Sequence, residues 1–147
     1  MANTFQLIIV TPERQVVLEE VEELTVPGTG GYVGVLPGHT PLLTTLKAGE
    51  VSFRMGTAHR YLATSRGVVE VLPEKVTLLV ETAEAAEEID VDRASTARQQ
   101  AEKALSALLR TPLEDDSEFK QAEARLQRAV VRLQVARKGP AAPPAHS

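Results

Sequence analysis

Residues 67–94 read Gly67-Val68-Val69-Glu70-Val71-Leu72-Pro73-Glu74-Lys75-Val76-Thr77-Leu78-Leu79-Val80-Glu81-Thr82-Ala83-Glu84-Ala85-Ala86-Glu87-Glu88-Ile89-Asp90-Val91-Asp92-Arg93-Ala94. Two regimes meet in this stretch. Val68, Val69 and Val71 beside Val76, Leu78 and Val80 predict a β-hairpin turning at Leu72–Lys75, because β-branched residues favour a pleated, half-buried surface. From Thr82 to Glu88 the chain is rich in Ala and Glu and has no strand pattern. Asp90 or Asp92 can then cap a helix by accepting backbone N–H bonds. The fold expected is α+β in two parts: an all-β sandwich over residues 1–88, then an antiparallel helical hairpin over 89–138.

Toward the N-terminus the β reading continues. Phe5–Val10, Val16–Leu18, Glu23–Val26, Glu50–Phe53 and Tyr61–Thr64 are short strand-like runs, followed by Val68–Leu72 and Val76–Glu81. Eight of the nine glycines fall in this half and punctuate it. Short strands at such spacing suggest a sandwich or barrel.

Toward the C-terminus the period changes. Ala94, Ala97, Ala101, Ala104 and Leu108 recur at helical spacing, as do Ala122, Leu126, Ala129, Leu133 and Ala136. Pro112 and the stretch Leu113–Asp116, three of whose four residues are acidic, are expected to separate the two helices, with Asp116 or Ser117 capping the second. Gly139-Pro140 ends it, and the Pro/Ala-rich tail over 139–147 is expected to be disordered. The seam between the helices is mostly alanine. A buried methyl group contributes about 0.8 kcal/mol, against roughly 1.5–3 kcal/mol for a Leu side chain. The hairpin thus combines high helix propensity with a weak seam.

Composition excludes several classes. The chain has no Cys, so disulfides, zinc–thiolate sites and thiol catalysis are absent. Five aromatic residues and no Trp disfavour base-stacking nucleic-acid modules. No apolar run approaches the roughly 20 residues of a membrane span, and no secretory signal is visible at the N-terminus. Residues 1–88 carry a net charge of −6 and residues 89–147 a net of +2. Six basic residues against Glu123 alone lie within Lys120–Lys138. That run reads either as a solvated helix face or as a docking surface for an acidic partner or phosphate ligand.

Enzymatic signatures are missing. No phosphate loop of the G-x-x-x-x-G-K-[ST] type occurs, and the glycines at 28, 30, 31 and 34 do not form the dinucleotide fingerprint. They are expected to serve tight turns. His39, His59 and His146 share no metal-ligand spacing. No Ser/His/Asp arrangement can be picked out.

Residues 30–43, Gly-Gly-Tyr-Val-Gly-Val-Leu-Pro-Gly-His-Thr-Pro-Leu-Leu, closely resemble the hallmark segment of the epsilon subunit of bacterial F-type ATP synthases. Phe5–Pro12, Leu46-x-x-Gly49-x-Val51, the 67–79 hairpin, Ile89-Asp90-x-x-Arg93-Ala94 and Arg128-Ala129-x-x-Arg132-Leu133 resemble further pieces of that family in the same order. The resemblance covers about residues 4–138.

The resemblance implies a non-catalytic subunit of the central stalk, turning with the rotor. The sandwich would be held against gamma and the ring of c subunits. Gly31, Tyr32, Leu36, Pro37 and Gly38, in the glycine-rich loop, would face the c ring, with His39 near gamma. The hairpin would alternate between a compact form and an extended form that reaches the alpha and beta subunits and blocks ATP hydrolysis. Arg125 and Arg137 would join Arg128, Arg132 and Lys138 in meeting an acidic surface there. Thr82–Glu88 would be the hinge. The complex would sit peripherally on the cytoplasmic face of the bacterial plasma (inner) membrane and translocate protons, this chain touching the membrane only through its partners.

Some family members bind ATP on the compact hairpin. The matching positions are Glu84, Ile89, Asp90, Arg93, Arg128 and Arg132, with Gln100 departing from a basic position. No cofactor is required by this reading, and ATP is the candidate regulatory ligand. The same arginines read equally as partners of neighbouring carboxylates or of a docking surface. A free-standing nucleotide-sensing module is the alternative function. A nucleic-acid partner is not expected.

Overall fold

The computed structural model describes residues 3–110 and 116–139. Of the break expected over residues 112–116, residues 112–115 lie outside the described residues, as does the expected disorder of residues 140–147. Ten strands come first: β1 Phe5–Val10, β2 Gln15–Val21, β3 Glu23–Gly28, β4 Gly31–Val35, β5 Leu42–Leu46, β6 Gly49–Met55, β7 Ala58–Thr64, β8 Gly67–Val71, β9 Lys75–Val80 and β10 Ala83–Ala85. A 3₁₀ turn over Ala86–Glu88 leads to the helices α1 Val91–Leu109 and α2 Ser117–Lys138.

The strands form two layers of a sandwich. One runs β10-β7-β6-β3, with β4 also paired to β3; the other runs β5-β8-β9-β1-β2. A single pair, Gly28↔Leu46, joins them. All neighbours are antiparallel except β1 and β9. Alternation along the strands sends Leu7 and Ile9 of β1, Leu24 and Val26 of β3, Val51 and Phe53 of β6, Val69 and Val71 of β8, and Val76 and Leu78 of β9 into one shared core. The Leu72–Lys75 hairpin is present, with Val71 opposite Val76 and the Leu72 N–H donating to the Lys75 carbonyl at 2.8 Å.

Three strands escape the sequence pattern. The segment expected as glycine-rich turns contains β4, paired with β3 from Leu24↔Val35 to Gly28↔Gly31. β5 lies beyond it. Thr82–Glu88, expected to have no strand character, contains β10 paired antiparallel to β7. Backbone pairing and the burial of Ala83 and Ala86 order this segment, with no β-branched residue within β10 to signal it. Gly38 does serve a turn. The His39 N–H donates to the Leu36 carbonyl at 3.1 Å, and Gly38 has φ +83°, the type II arrangement with Pro first and Gly second.

Asp90 is the N-cap of α1, its carboxylate accepting the Arg93 N–H at 3.1 Å. Asp116 occupies the N-cap position of α2 without a side-chain cap bond; its carboxylate pairs with Lys120 at 3.1 Å instead. Ala94 and Ala101 of α1 and Ala122 and Ala129 of α2 are buried along the seam. A second stripe of α2, Val131 and Val135, packs with Ala63, Ala86 and Ile89 of the β part. The hairpin therefore lies folded down on the sandwich, with α2 touching β6, β7 and the 3₁₀ turn.

Candidate functional site

Folding the hairpin down creates a cleft of ≈ 590 Å³. Its floor is the alanine seam, including Ala97, Ala101 and Ala129, and its walls carry Glu84, Gln100, Arg125, Arg128 and Arg132. The β1–β2 turn closes the other side with Thr11, Glu13 and Arg14. Small side chains on the seam leave the space that larger ones would fill.

Of the six residues predicted for a nucleotide, the fold brings Glu84, Arg128 and Arg132 to this cleft. Ile89 is buried beneath α2, Asp90 caps α1, and Arg93 begins α1 on an exposed face; none of the three lines the cleft. Arg132 donates a fork to Glu84, Nε to Oε1 at 2.7 Å and Nη2 to Oε2 at 3.2 Å. Their side chains are 28% and 35% exposed, so solvent screens the pair only partly. Among the described residues, Arg125, Arg128 and Arg137 form no ion pair with an acid. Arg14 was invisible to the sequence reading, since no spacing relates the first turn to the helices. It pairs with Glu88 at 3.7 Å, both side chains about half exposed.

The predicted interface residues separate into two groups at opposite ends of β4. Gly31 and Tyr32 belong to the tip of the β3–β4 hairpin; Leu36, Pro37, Gly38 and His39 form the turn after β4. At about 3.3 Å per residue, the groups lie roughly 15 Å apart. Tyr32 is 58% and Leu36 57% exposed. The His39 Nδ1 lies 2.6 Å from the Thr40 carbonyl oxygen, and the Gly38 N–H donates to the Pro73 carbonyl, resting this turn on the β8–β9 turn.

The sequence reading missed the outer face of the β5-β8-β9-β1-β2 layer. Val68 sits opposite Leu79, Leu79 opposite Val10, and Ile8 opposite Leu18, so these side chains share one face. Leu43 on the neighbouring strand is 72% exposed, Leu79 52% and Leu18 51%. Glu70 opposite Leu43 and Thr77 opposite Ile8 share this face, and the exposed leucines around them make it a candidate docking surface. Leucine and valine at alternate positions signal a strand but do not say which alternate is covered.

Among the described residues no group of three or more His, Asp or Glu could hold a metal, and no helix is long and apolar enough to cross a membrane.

Comparison with known proteins agrees along nearly the whole chain. The family described as "ATP synthase, Delta/Epsilon chain, beta-sandwich domain" matches residues 4–86, and "ATP synthase, Delta/Epsilon chain, long alpha-helix domain" matches residues 87–137. ATP synthase epsilon chain 1 of Syntrophotalea carbinolica is 51% identical over 139 residues, covering 95% of this chain and 98% of that one. The ATP synthase epsilon chain of Geotalea daltonii is 48% identical over 138 residues, covering 94% and 97%. A chain in the Euglena gracilis mitochondrial ATP synthase OSCP/F1/c-ring structure shares the fold, with TM-score 0.76 and 22% identity over 91% of this chain and 81% of that one. The sandwich, the helical hairpin and these relatives together place the chain in the ATP synthase delta/epsilon family, as a non-catalytic subunit of the epsilon type.

Proposed function

We propose that the chain works on the central stalk of a proton-translocating F-type ATP synthase, at the cytoplasmic face of the bacterial inner membrane, coupling gamma to the c ring. The observation that carries this reading is the exposed apolar face of Leu18, Leu43, Val68 and Leu79 on a fully built sandwich. Gamma covers that face, beside the turn that holds His39. The hairpin tip with Tyr32 points to the c ring.

The helical hairpin is the regulatory part. Two ion pairs tie it to the sandwich among the described residues, Arg132–Glu84 and Lys138–Glu50. Both cations belong to the basic surface that would meet acidic residues of the alpha and beta subunits. Folding down and reaching up therefore compete for the same charges, a competition that makes two packings of one hairpin exclusive. In the raised form the hairpin restrains ATP hydrolysis.

A second reading is favoured by the cleft. Among the described residues it holds two arginines without ion pairs, Arg125 and Arg128, together with Arg132 paired to Glu84 and Arg14 paired to Glu88, and a nucleotide bound there would tie the helices to the sandwich and bias the switch downward.

The deciding experiment is capture of gamma by the full chain, followed by ATPase assay of the complex with and without residues 89–147. Leu43→Asp with Leu79→Asp is expected to abolish capture, while deletion of residues 89–147 retains capture and raises hydrolysis. Capture undiminished by the two aspartates would remove the apolar face from the interface. Hydrolysis unchanged by the deletion would remove the regulatory role.

A further inference from the structure

The end of α2 is held at Lys138 by two partners on the sandwich. Lys138 Nζ donates to Glu50 Oε2 at 2.9 Å and lies 4.9 Å from the centroid of the Tyr61 ring. Glu50 is on β6 and Tyr61 on β7, where Glu50 pairs with Ala63 and Ser52 with Tyr61. The carboxylate and the ring are thus diagonal neighbours on one face of the sheet. The Glu50 side chain is only 21% exposed, so its charge is partly withdrawn from water. Hydrogen bonding to it holds the Lys138 ammonium above its ordinary pKa. The position at the last turn of α2 adds the favourable field of the helix C-terminus.

Glu50 has a second attachment. Its backbone N–H donates to the Tyr32 hydroxyl at 3.4 Å. Tyr32 stands on β4 in the exposed β3–β4 hairpin and reaches across to β6 just where the chain lacks a side chain. A Cβ at Gly49 would come within 2.6 Å of the Pro27 Cβ and 3.3 Å of the Tyr32 hydroxyl. One residue, Glu50, therefore holds the end of the helical hairpin with its carboxylate and the β-hairpin with its amide.

We propose that Glu50 and Lys138 form a clasp that transmits the seating of α2 to Tyr32, so that helix docking and the setting of the exposed β3–β4 hairpin are one linked equilibrium. When Lys138 leaves, the Glu50 carboxylate is released to water, and the Gly49–Glu50 backbone that meets Tyr32 loses one of its restraints, the β6–β7 ladder and the Thr64 hydroxyl keeping the others. Linkage is reciprocal. A partner that fixes Tyr32 in its docked setting strengthens the hold on α2 by the same factor that docking strengthens the partner. Only this last consequence rests on the proposed engagement of the β3–β4 hairpin by the rotor; the clasp itself belongs to the isolated chain.

The full chain offers its own reporters, because Tyr32 and Tyr61 are its only tyrosines and Trp is absent. The test is NMR of the tyrosine rings together with the methyl groups of Ala63 and Val135, which report seating of α2. Lys138→Met keeps the apolar stem and removes the charge; it is expected to raise the unseated population roughly three- to tenfold. Glu50→Gln is expected to do the same, and the double variant to add nothing further. The Tyr32 ring should shift in proportion to the Val135 methyl throughout. Raising salt should mimic the effect in the parent and act less in Lys138→Met, where the Arg132–Glu84 pair alone still ties α2 down among the described residues. Tyr32→Phe removes the hydroxyl that makes the link, so ring 32 should no longer follow the Val135 methyl when Lys138→Met is added in that background. Additive single effects, Val135 moving while Tyr32 stays still, or no response in any variant would each overturn the clasp. Because no partner is present in this experiment, its failure leaves the docking of gamma on the apolar face standing. Failure to capture gamma likewise leaves the clasp standing.

Discussion

Arg132 is forked by Glu84 at the foot of the cleft, and this decides what an incoming anion would find. It must compete with a carboxylate for that guanidinium, whereas Arg125 and Arg128 have no ion pair among the described residues. Gln100 lines the same cleft from α1 and offers only neutral hydrogen bonds. Charge-assisted bonds are roughly twice as strong as neutral ones. Gln100→Arg is therefore expected to tighten ATP binding by the isolated chain about tenfold, and Arg128→Ala to weaken it, as read by titration calorimetry. Absence of binding by both the parent and Gln100→Arg at millimolar ATP would leave these arginines to the docking surface. At this scale the sequence was partly legible. The i,i+4 spacing of Arg128 and Arg132 puts both on one helix face, and both reach the cleft. Arg14 was not legible, because it arrives from a turn that only the closed fold brings near the helices.

The β6–β7 hairpin shows how an element is pinned by charge. Arg54 donates to Glu22 at 3.2 Å and to Glu23 at 3.4 Å, and Glu22 accepts the Gly56 N–H of the turn at 2.6 Å. The Gly56 N–H, then the Arg54 guanidinium, hold the Glu22 carboxyl below its ordinary pKa. A carboxyl depressed in the folded state contributes stability above its unfolded pKa, and that contribution is lost as pH falls through the folded value. Protection of the Gly56 amide against hydrogen exchange should therefore fall as the pH drops below about 4.3. Glu22→Gln should lower protection already at neutral pH and remove this acid dependence. A parent-like profile in Glu22→Gln would show that the turn does not depend on this carboxylate. Alternation of apolar residues made β1, β8 and β9 readable, since each has one face in the core. β4 carries Gly31 and Gly34, and β10 is Ala-Glu-Ala; both are strands through backbone pairing, β4 with β3 just before it and β10 with β7 across the intervening β8–β9 hairpin. Val131 and Val135 were hidden differently: the alanine stripe accounted for one face of α2, and nothing local announces a second.

The whole molecule has two apolar clusters of unequal kind. The larger one is built from residues 5–83 and contains no residue of either helix. The smaller one joins Ala63, Ala86 and Ile89 to Ala94, Val131 and Val135, three of the six being alanine. Burial of so few large side chains, with two ion pairs among the described residues and a small open gap of ≈ 30 Å³ between α2 and the sandwich, holds the hairpin down by a modest margin. Movement of the hairpin requires that the sandwich survive without it. Residues 1–88 alone are therefore expected to fold, with a dispersed NMR spectrum and a single cooperative thermal transition. Uncovering Ala63 and Ala86 should lower the midpoint by several degrees, at roughly 4–8 °C per kcal/mol for a domain of this size. Leu43, Val68 and Leu79 lie on the layer away from the helices, so the shortened chain should keep its capture of gamma. A truncated chain that is unfolded, or that melts without cooperativity, would make the hairpin part of the folding unit. Rigid release of the helices would then be impossible, because raising them would cost the stability of the sandwich itself.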